Sequence, residues 1–121
     1  MGKIFVFGSN EAGRHGKGAA LWALRNRNAH YGQGYGLQGQ SFAIPTKDHN
    51  LDPLPLEVIK RYTEAFLRVA EVNSHLEFEV SRIGCGLAGY TDDEIGPMFK
   101  GAPPNVTFMQ YEGYENWEKY R

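Results

Sequence analysis

Three times along this sequence a short β-rich run gives way to a loop rich in glycine or proline and then to a stretch with helical spacing. Residues 3–7, Lys3-Ile-Phe-Val-Phe7, are apolar and stop at Gly8, as a buried strand feeding a turn does. The loop over 8–18 leads into a helix over about 19–28, with Ala20, Leu21, Ala23 and Leu24 on one face and Arg25 and Arg27 where the dipole favours cations. Residues 41–45 repeat the pattern through Pro45-Thr-Lys-Asp-His49, and after Pro53 and Pro55 the positions Val58, Ile59, Tyr62, Phe66, Val69 and Ala70 recur at helical spacing. In the third round Leu76, Phe78 and Val80 alternate with polar residues before the loop 83–89. Thr91-Asp-Asp-Glu94 then opens a short helix through Phe99, with Gly96-Pro97 as its weak point. A last β-rich run at 106–109 precedes a tail carrying Tyr111, Tyr114, Trp117 and Tyr120. This order predicts an α/β fold whose sheet is covered by helices, with ligands bound outside the carboxyl ends of the strands.

The length of 121 residues fits one domain spanning 1–121. A net charge of −1 argues against a protein whose main task is neutralising nucleic-acid backbone, so direct nucleic-acid binding is not indicated. The single cysteine, Cys85, excludes an internal disulfide and fits a reducing compartment. No secretory signal and no apolar run of about 20 residues is visible, so a cytoplasmic protein without a membrane partner is expected.

Two glycine patterns mislead. The stretch 8–15 is close to a Walker A loop, but Arg14 stands where lysine belongs and His15 where the magnesium-binding hydroxyl belongs. Gly34-Tyr-Gly36-Leu-Gln-Gly39 has dinucleotide-fingerprint spacing yet precedes a strand, so a pyrophosphate there would have no helix N-terminus to sit on. That stretch is expected at the opposite end of the sheet unless it folds back. Gly13, Gly16 and Gly18 lie before a helix, and Gly84, Gly86 and Gly89 lie between a strand and a capped helix. Both loops can offer backbone N–H groups to an anion, because glycine admits oxygens that a Cβ would keep away. Two such loops facing each other would hold a diphosphate.

On these residues the chain resembles the macro-domain superfamily. Ile83-Gly-Cys-Gly-Leu-Ala-Gly89 before an acidic helix start looks like the second phosphate loop of the branch of terminal ADP-ribose glycohydrolases, DNA-ADP-ribose-removing antitoxins and ADP-ribose-1″-phosphate phosphatases. Phe7-Gly-Ser-Asn10, Gly16-Lys-Gly-Ala-Ala20 and Ala43-Ile-Pro-Thr-Lys47 resemble its other segments, and the short chain is similar to compact bacterial or phage versions. The resemblance implies a three-layer α/β/α mixed sheet that binds ADP-ribose or an ADP-ribosylated substrate, nucleic acid among the possible carriers. It also implies hydrolysis of an ADP-ribose linkage or terminal phosphate; the alternative is a non-catalytic reader.

The implied ligand contacts are Ser9, Asn10, Gly16, Gly18 and Ala19 in the first loop, Thr46 at the Pro-Thr-Lys segment, and Gly84, Cys85, Gly86, Leu87, Ala88, Gly89 and Tyr90 in the second. In the glycohydrolases the lysine of the Pro-Thr-Lys segment, here Lys47, attacks the ribose anomeric carbon, assisted by an acid whose place is taken here by Ala88. His15 and Asp92 are the remaining acid-base candidates, and the Cys85 thiol reads as packing. His15, His30, His49 and His75 show no ligand spacing, so no metal or cofactor is expected.

Overall fold

The computed structural model describes residues 2–121. In chain order it contains β1 (Ile4–Asn10), α1 (Gly18–Asn26), β2 (Gly36–Gln38), β3 (Ser41–Lys47), α2 (Leu56–Val72), β4 (Phe78–Val80), α3 (Asp92–Ile95) and β5 (Val106–Phe108), with 3₁₀ turns at Gly96–Phe99 and Trp117–Tyr120. The strands are ordered β2-β3-β1-β4-β5, all parallel except β2, which runs antiparallel to β3. The chain first steps from β1 to β3 on one side, then crosses to β4 on the other, so the winding reverses at β1. Its carboxyl end is therefore where a crevice opens.

Side chains alternate across β1. Ile4 and Val6 join Phe42, Ile44, Phe78, Val80 and Val106 against Ile59, Phe66 and Ala70 of α2, while Phe5 and Phe7 face Ala20 and Ala23 of α1. The result is a three-layer α/β/α domain with a mixed sheet. Phe66 anchors the larger core, meeting Phe42 at 5.0 Å and Phe78 at 5.4 Å between ring centroids, both edge to face. Buried Ile59, Thr63, Phe66 and Ala70 follow the helical period along α2, which starts directly after Pro55. α3 opens as the capping-box spacing predicts, the Thr91 amide donating to the Glu94 carboxylate at 3.0 Å, and it tightens to a 3₁₀ turn where Pro97 lacks a donor.

Several elements differ from the sequence reading. The glycine stretch 31–39 contains the antiparallel strand β2, and its first half folds back onto the loop after β1. A Cβ at Gly34 would lie 2.4 Å from the Asn10 carbonyl oxygen, and one at Gly13 would lie 2.3 Å from the Gly32 carbonyl carbon. Glycine is required at both places for the two loops to touch, and the Gly32 amide donates to the Gly13 carbonyl at 2.8 Å. β1 and β3 each run farther than predicted, to Asn10 and Lys47, because their pairing continues from Phe5 and Ser41 to Asn10 and Lys47, with one irregularity after Ser9. Leu76 precedes β4 and packs half-buried against the larger core. The aromatic tail packs onto the domain: Trp117 is buried, and the Tyr120 ring lies so close to Gly96 that a Cβ there would sit 2.3 Å from it.

Candidate functional site

A cavity of about 640 Å³ opens at the carboxyl ends of β1, β3 and β4, within the size range of small-molecule sites. The end of β1 supplies Ser9 and Asn10, both almost fully buried. Thr46 Oγ1 donates to the Ser9 carbonyl at 3.2 Å, which locks the ends of β1 and β3 together. The Asn10 amide is spent on the loop that follows, with Nδ2 donating to the Arg14 carbonyl at 3.0 Å and Oδ1 accepting from the Arg14 amide at 2.9 Å. This fixes the turn that carries Gly16, Lys17 and Gly18 to the start of α1.

The two glycine loops face each other across the cavity. Gly18 has φ of +57°, and a Cβ built on it would come no nearer to any side chain than 4.0 Å, the distance to Leu87 of the opposite loop. Gly84 is left-handed with φ of +75°, and it packs beside Thr46 and Ile95. Gly16 and Gly86 face open space, with no atom within 4 Å of a Cβ position. Among the described residues the amides of Gly86, Leu87 and Ala88, and those of Gly16, Lys17 and Gly18, donate to no backbone carbonyl. Unspent N–H groups on both walls make a cradle for an anion.

Charge reinforces this geometry. Arg14, Lys17, Lys47 and Arg82 line the cavity and no carboxylate does. Lys47 makes no ion pair among the described residues. Arg82 is held from behind: its Nε and Nη2 donate to Asp92 at 2.9 and 3.0 Å, and its guanidinium lies 4.0 Å from the Tyr114 ring centroid. Trp117 Nε1 also donates to Asp92, at 2.7 Å. The Arg82 hydrogen bonds, followed by that from Trp117, hold the Asp92 carboxyl below the usual carboxylate range. Burial pushes the Cys85 thiol up to about 11, so it stays protonated near neutrality.

Twelve of the expected residues meet on this cavity: Ser9, Asn10, Gly16, Gly18, Ala19, Thr46, Lys47 and the run from Gly84 to Ala88. Four do not. His15 lies outside the lining and is fully buried behind the first loop, its ring 5.2 Å from Phe7 and its Nε2 3.1 Å from the Gln38 carboxamide oxygen. Asp92 stands behind Arg82. Gly89 closes the second loop by donating to the Gly86 carbonyl, and the Tyr90 hydroxyl donates to the Leu54 carbonyl at 2.6 Å. The sequence reading missed Arg14, Lys17, Tyr31, Leu51, Arg82 and Tyr111 on the wall. One signal was available, since of 14 carboxylates only Glu11 precedes Asp48, and the span between them carries Arg14, Lys17, Arg25, Arg27 and Lys47. The net charge near zero conceals this segregation. Among the described residues no group of three or more His, Cys, Asp or Glu side chains could hold a metal ion, and no helix is long and apolar enough to cross a membrane.

No protein-family model matches the chain, and no curated protein does. Two solved structures are similar in shape. A protein of unknown function from Bacteroides thetaiotaomicron superposes with a TM-score of 0.63 at 15% identity, over 92% of this chain and 90% of that one. Thermosipho africanus DarTG in complex with ADP-ribose superposes with a TM-score of 0.62 at 14% identity, over 98% of this chain and 41% of the larger DarTG chain. At such identity the likeness speaks for architecture, and it agrees with the strand order and layers described above: the chain has a macro-domain-like α/β/α fold.

Proposed function

We propose that this protein binds ADP-ribose or a close derivative, with the diphosphate held between the loops at 16–19 and 84–88. The observation that carries this reading is the pair of glycine loops, each with unspent amides, meeting across a cavity lined by four cations and no carboxylate. A diphosphate needs many donors at short range and a compensating positive field, and both are supplied by groups that folding has already oriented. The similarly shaped DarTG structure holds ADP-ribose, which supports the same ligand class here. In this reading the whole chain works as one binding domain, since both cores lie on the same sheet. Calorimetric titration with ADP-ribose, AMP and NAD side by side tests it. ADP-ribose should bind most tightly, and absence of heat with all three would remove the proposal.

A second reading adds turnover, and the observation favouring it is Lys47 on the cavity wall with no ion-pair partner. Its amine would attack the ribose anomeric carbon, forming a C–N bond as the bond to the departing group breaks, and water would then release ADP-ribose. The wall holds no carboxylate to assist, and Ala88 stands where the hydrolases of the resembling branch carry an acid. Binding without turnover is therefore the better supported function. Lys47→Arg keeps the charge but cannot act as the amine nucleophile, so it should abolish release of ADP-ribose if the lysine is catalytic and preserve binding if it only pairs with phosphate. Any turnover by Lys47→Arg equal to that of the unaltered protein removes the lysine from the chemistry.

A further inference from the structure

The cations on the cavity wall outnumber the charges of a diphosphate bridge, and they stand in three places. Arg14 and Lys17 belong to the first glycine loop, Lys47 ends β3, and Arg82 follows β4. Because β1 lies between β3 and β4, Lys47 and Arg82 flank the loops from opposite sides, two strand spacings or roughly 10 Å apart. Of the four, only Arg82 has its charged group fixed by other side chains among the described residues. Asp92 takes its Nε and one hydrogen of Nη2, Trp117 steadies Asp92 at 2.7 Å, and the Tyr114 ring covers a face of the guanidinium at 4.0 Å. The other edge of the fork is unspent. Nη1 and the second hydrogen of Nη2 meet no acceptor among the described residues, although the side chain is only 21% exposed. A planar fork clamped along one edge presents the opposite edge to a second oxyanion without losing further freedom. Beside it on the wall, the Tyr111 hydroxyl donates only to the Met109 sulfur at 3.5 Å, a weak acceptor that a phosphate oxygen would displace.

We propose that Arg82 and Tyr111 form a subsite for a phosphate ester on the adenosine ribose, so that the preferred ligand is ADP-ribose 2′-phosphate, the form derived from NADP rather than NAD. The inference rests on the ADP-ribose reading of the cavity and names its ligand more closely. With the diphosphate between the glycine loops and the distal ribose at Lys47, the adenosine ribose falls at the Arg82 end. Dinucleotide sites separate the two forms by chemistry: an acidic side chain accepts from the ribose 2′-hydroxyl, whereas an arginine meets the 2′-phosphate. This wall has the arginine and no carboxylate, since Asp92 lies off the lining and is spent on Arg82 and Trp117.

Calorimetric titration of the unaltered protein with ADP-ribose, ADP-ribose 2′-phosphate and ADP-ribose 1″-phosphate tests the subsite. The 2′-phosphate should bind about tenfold or more tighter than ADP-ribose, and the 1″-phosphate should gain less. The advantage should shrink between about pH 7.5 and about pH 5, as the ester loses its second charge. For variants the readout is the ratio of the two affinities, because Arg82 belongs to the binding wall and its loss weakens both ligands. Arg82→Met combined with Asp92→Asn removes both partners of the ion pair, leaves no charge alone, and should bring the ratio to about one. Arg82→Lys keeps a cation beside Asp92 without the fork and should lower the ratio severalfold; it decides if the double variant does not fold. Equal affinity of the unaltered protein for ADP-ribose and its 2′-phosphate, a ratio that survives in the folded variants, or a larger gain with the 1″-phosphate would each overturn the proposal. Saturable ADP-ribose binding alongside any of these results leaves the cavity reading standing, whereas no binding of any of the three ligands removes both.

Discussion

Asp92 stands behind Arg82, off the cavity lining, and holds its neighbours in place. With two hydrogen bonds from Arg82 and one from Trp117, its carboxylate ties the cavity wall to the C-terminal segment. Its folded-state pKa is depressed below the unfolded value, so the stability it contributes is present above about pH 4 and is lost as pH falls through the folded value. Asp92→Asn should cost about 1–3 kcal/mol in urea denaturation at pH 7 and should flatten the loss of stability below pH 4. A variant as stable as the parent at both pH values would contradict this role. Cys85 is predicted to alkylate slowly at pH 7 and to speed up only as pH approaches 11, which a maleimide or iodoacetamide time course reads directly. Asn10 is more ambiguous chemically, since one Nδ2 hydrogen remains beyond its two bonds to the Arg14 backbone. Asn10→Ala should lower affinity for ADP-ribose and for inorganic diphosphate together, because it releases the turn carrying the first loop; a loss confined to ADP-ribose would assign it to the sugar.

At the scale of elements, the strands and long helices were legible because their signals are local. β1 reads as a continuous apolar run, and α2 as a helical stripe ending at buried Ala70. β2 was not legible: Gly36, Leu37 and Gln38 carry little strand propensity, and it is the existing strand β3 that makes them pair. That missed strand also explains His15. A histidine in a glycine loop reads as exposed, but Gln38 of β2 reaches back to its ring, and the Gln38 oxygen also accepts from the His30 amide at 2.8 Å. Gln38→Ala would leave the buried His15 ring and the part-buried His30 amide without this partner and should destabilise the protein by about 2 kcal/mol. Gly34→Ala should have a comparable or larger effect, because its Cβ would collide with the Asn10 and Glu11 carbonyl oxygens and push the folded-back loop off the end of β1. Urea midpoints equal to the parent's in both variants would show that this packing is not what places Tyr31 at the cavity.

Across the whole molecule, the site arises where the winding of the sheet reverses, and this location follows from strand order alone. The glycine loops could be found in the sequence because each sets three glycines within six residues between a strand and a helix. The convergence of the cations on one cavity could not, because Arg14 and Lys17 come from the loop after β1, Lys47 from β3 and Arg82 from the residues after β4, and only the fold brings them together. The resulting field is concentrated at the carboxyl ends of the strands even though the chain as a whole carries a charge of −1. Such focusing should make ligand affinity fall as ionic strength rises. The central claim, that a diphosphate sits between the two loops, is tested most directly by calorimetric titration of ADP-ribose into the unaltered protein and into Gly86→Val. Gly86 has no atom within 4 Å of its Cβ position, so valine should fold without strain and fill only the anion cradle. Saturable binding by the unaltered protein is expected, with a loss of roughly 100-fold or more in Gly86→Val at an unchanged thermal midpoint. Equal affinity in the two proteins would contradict it.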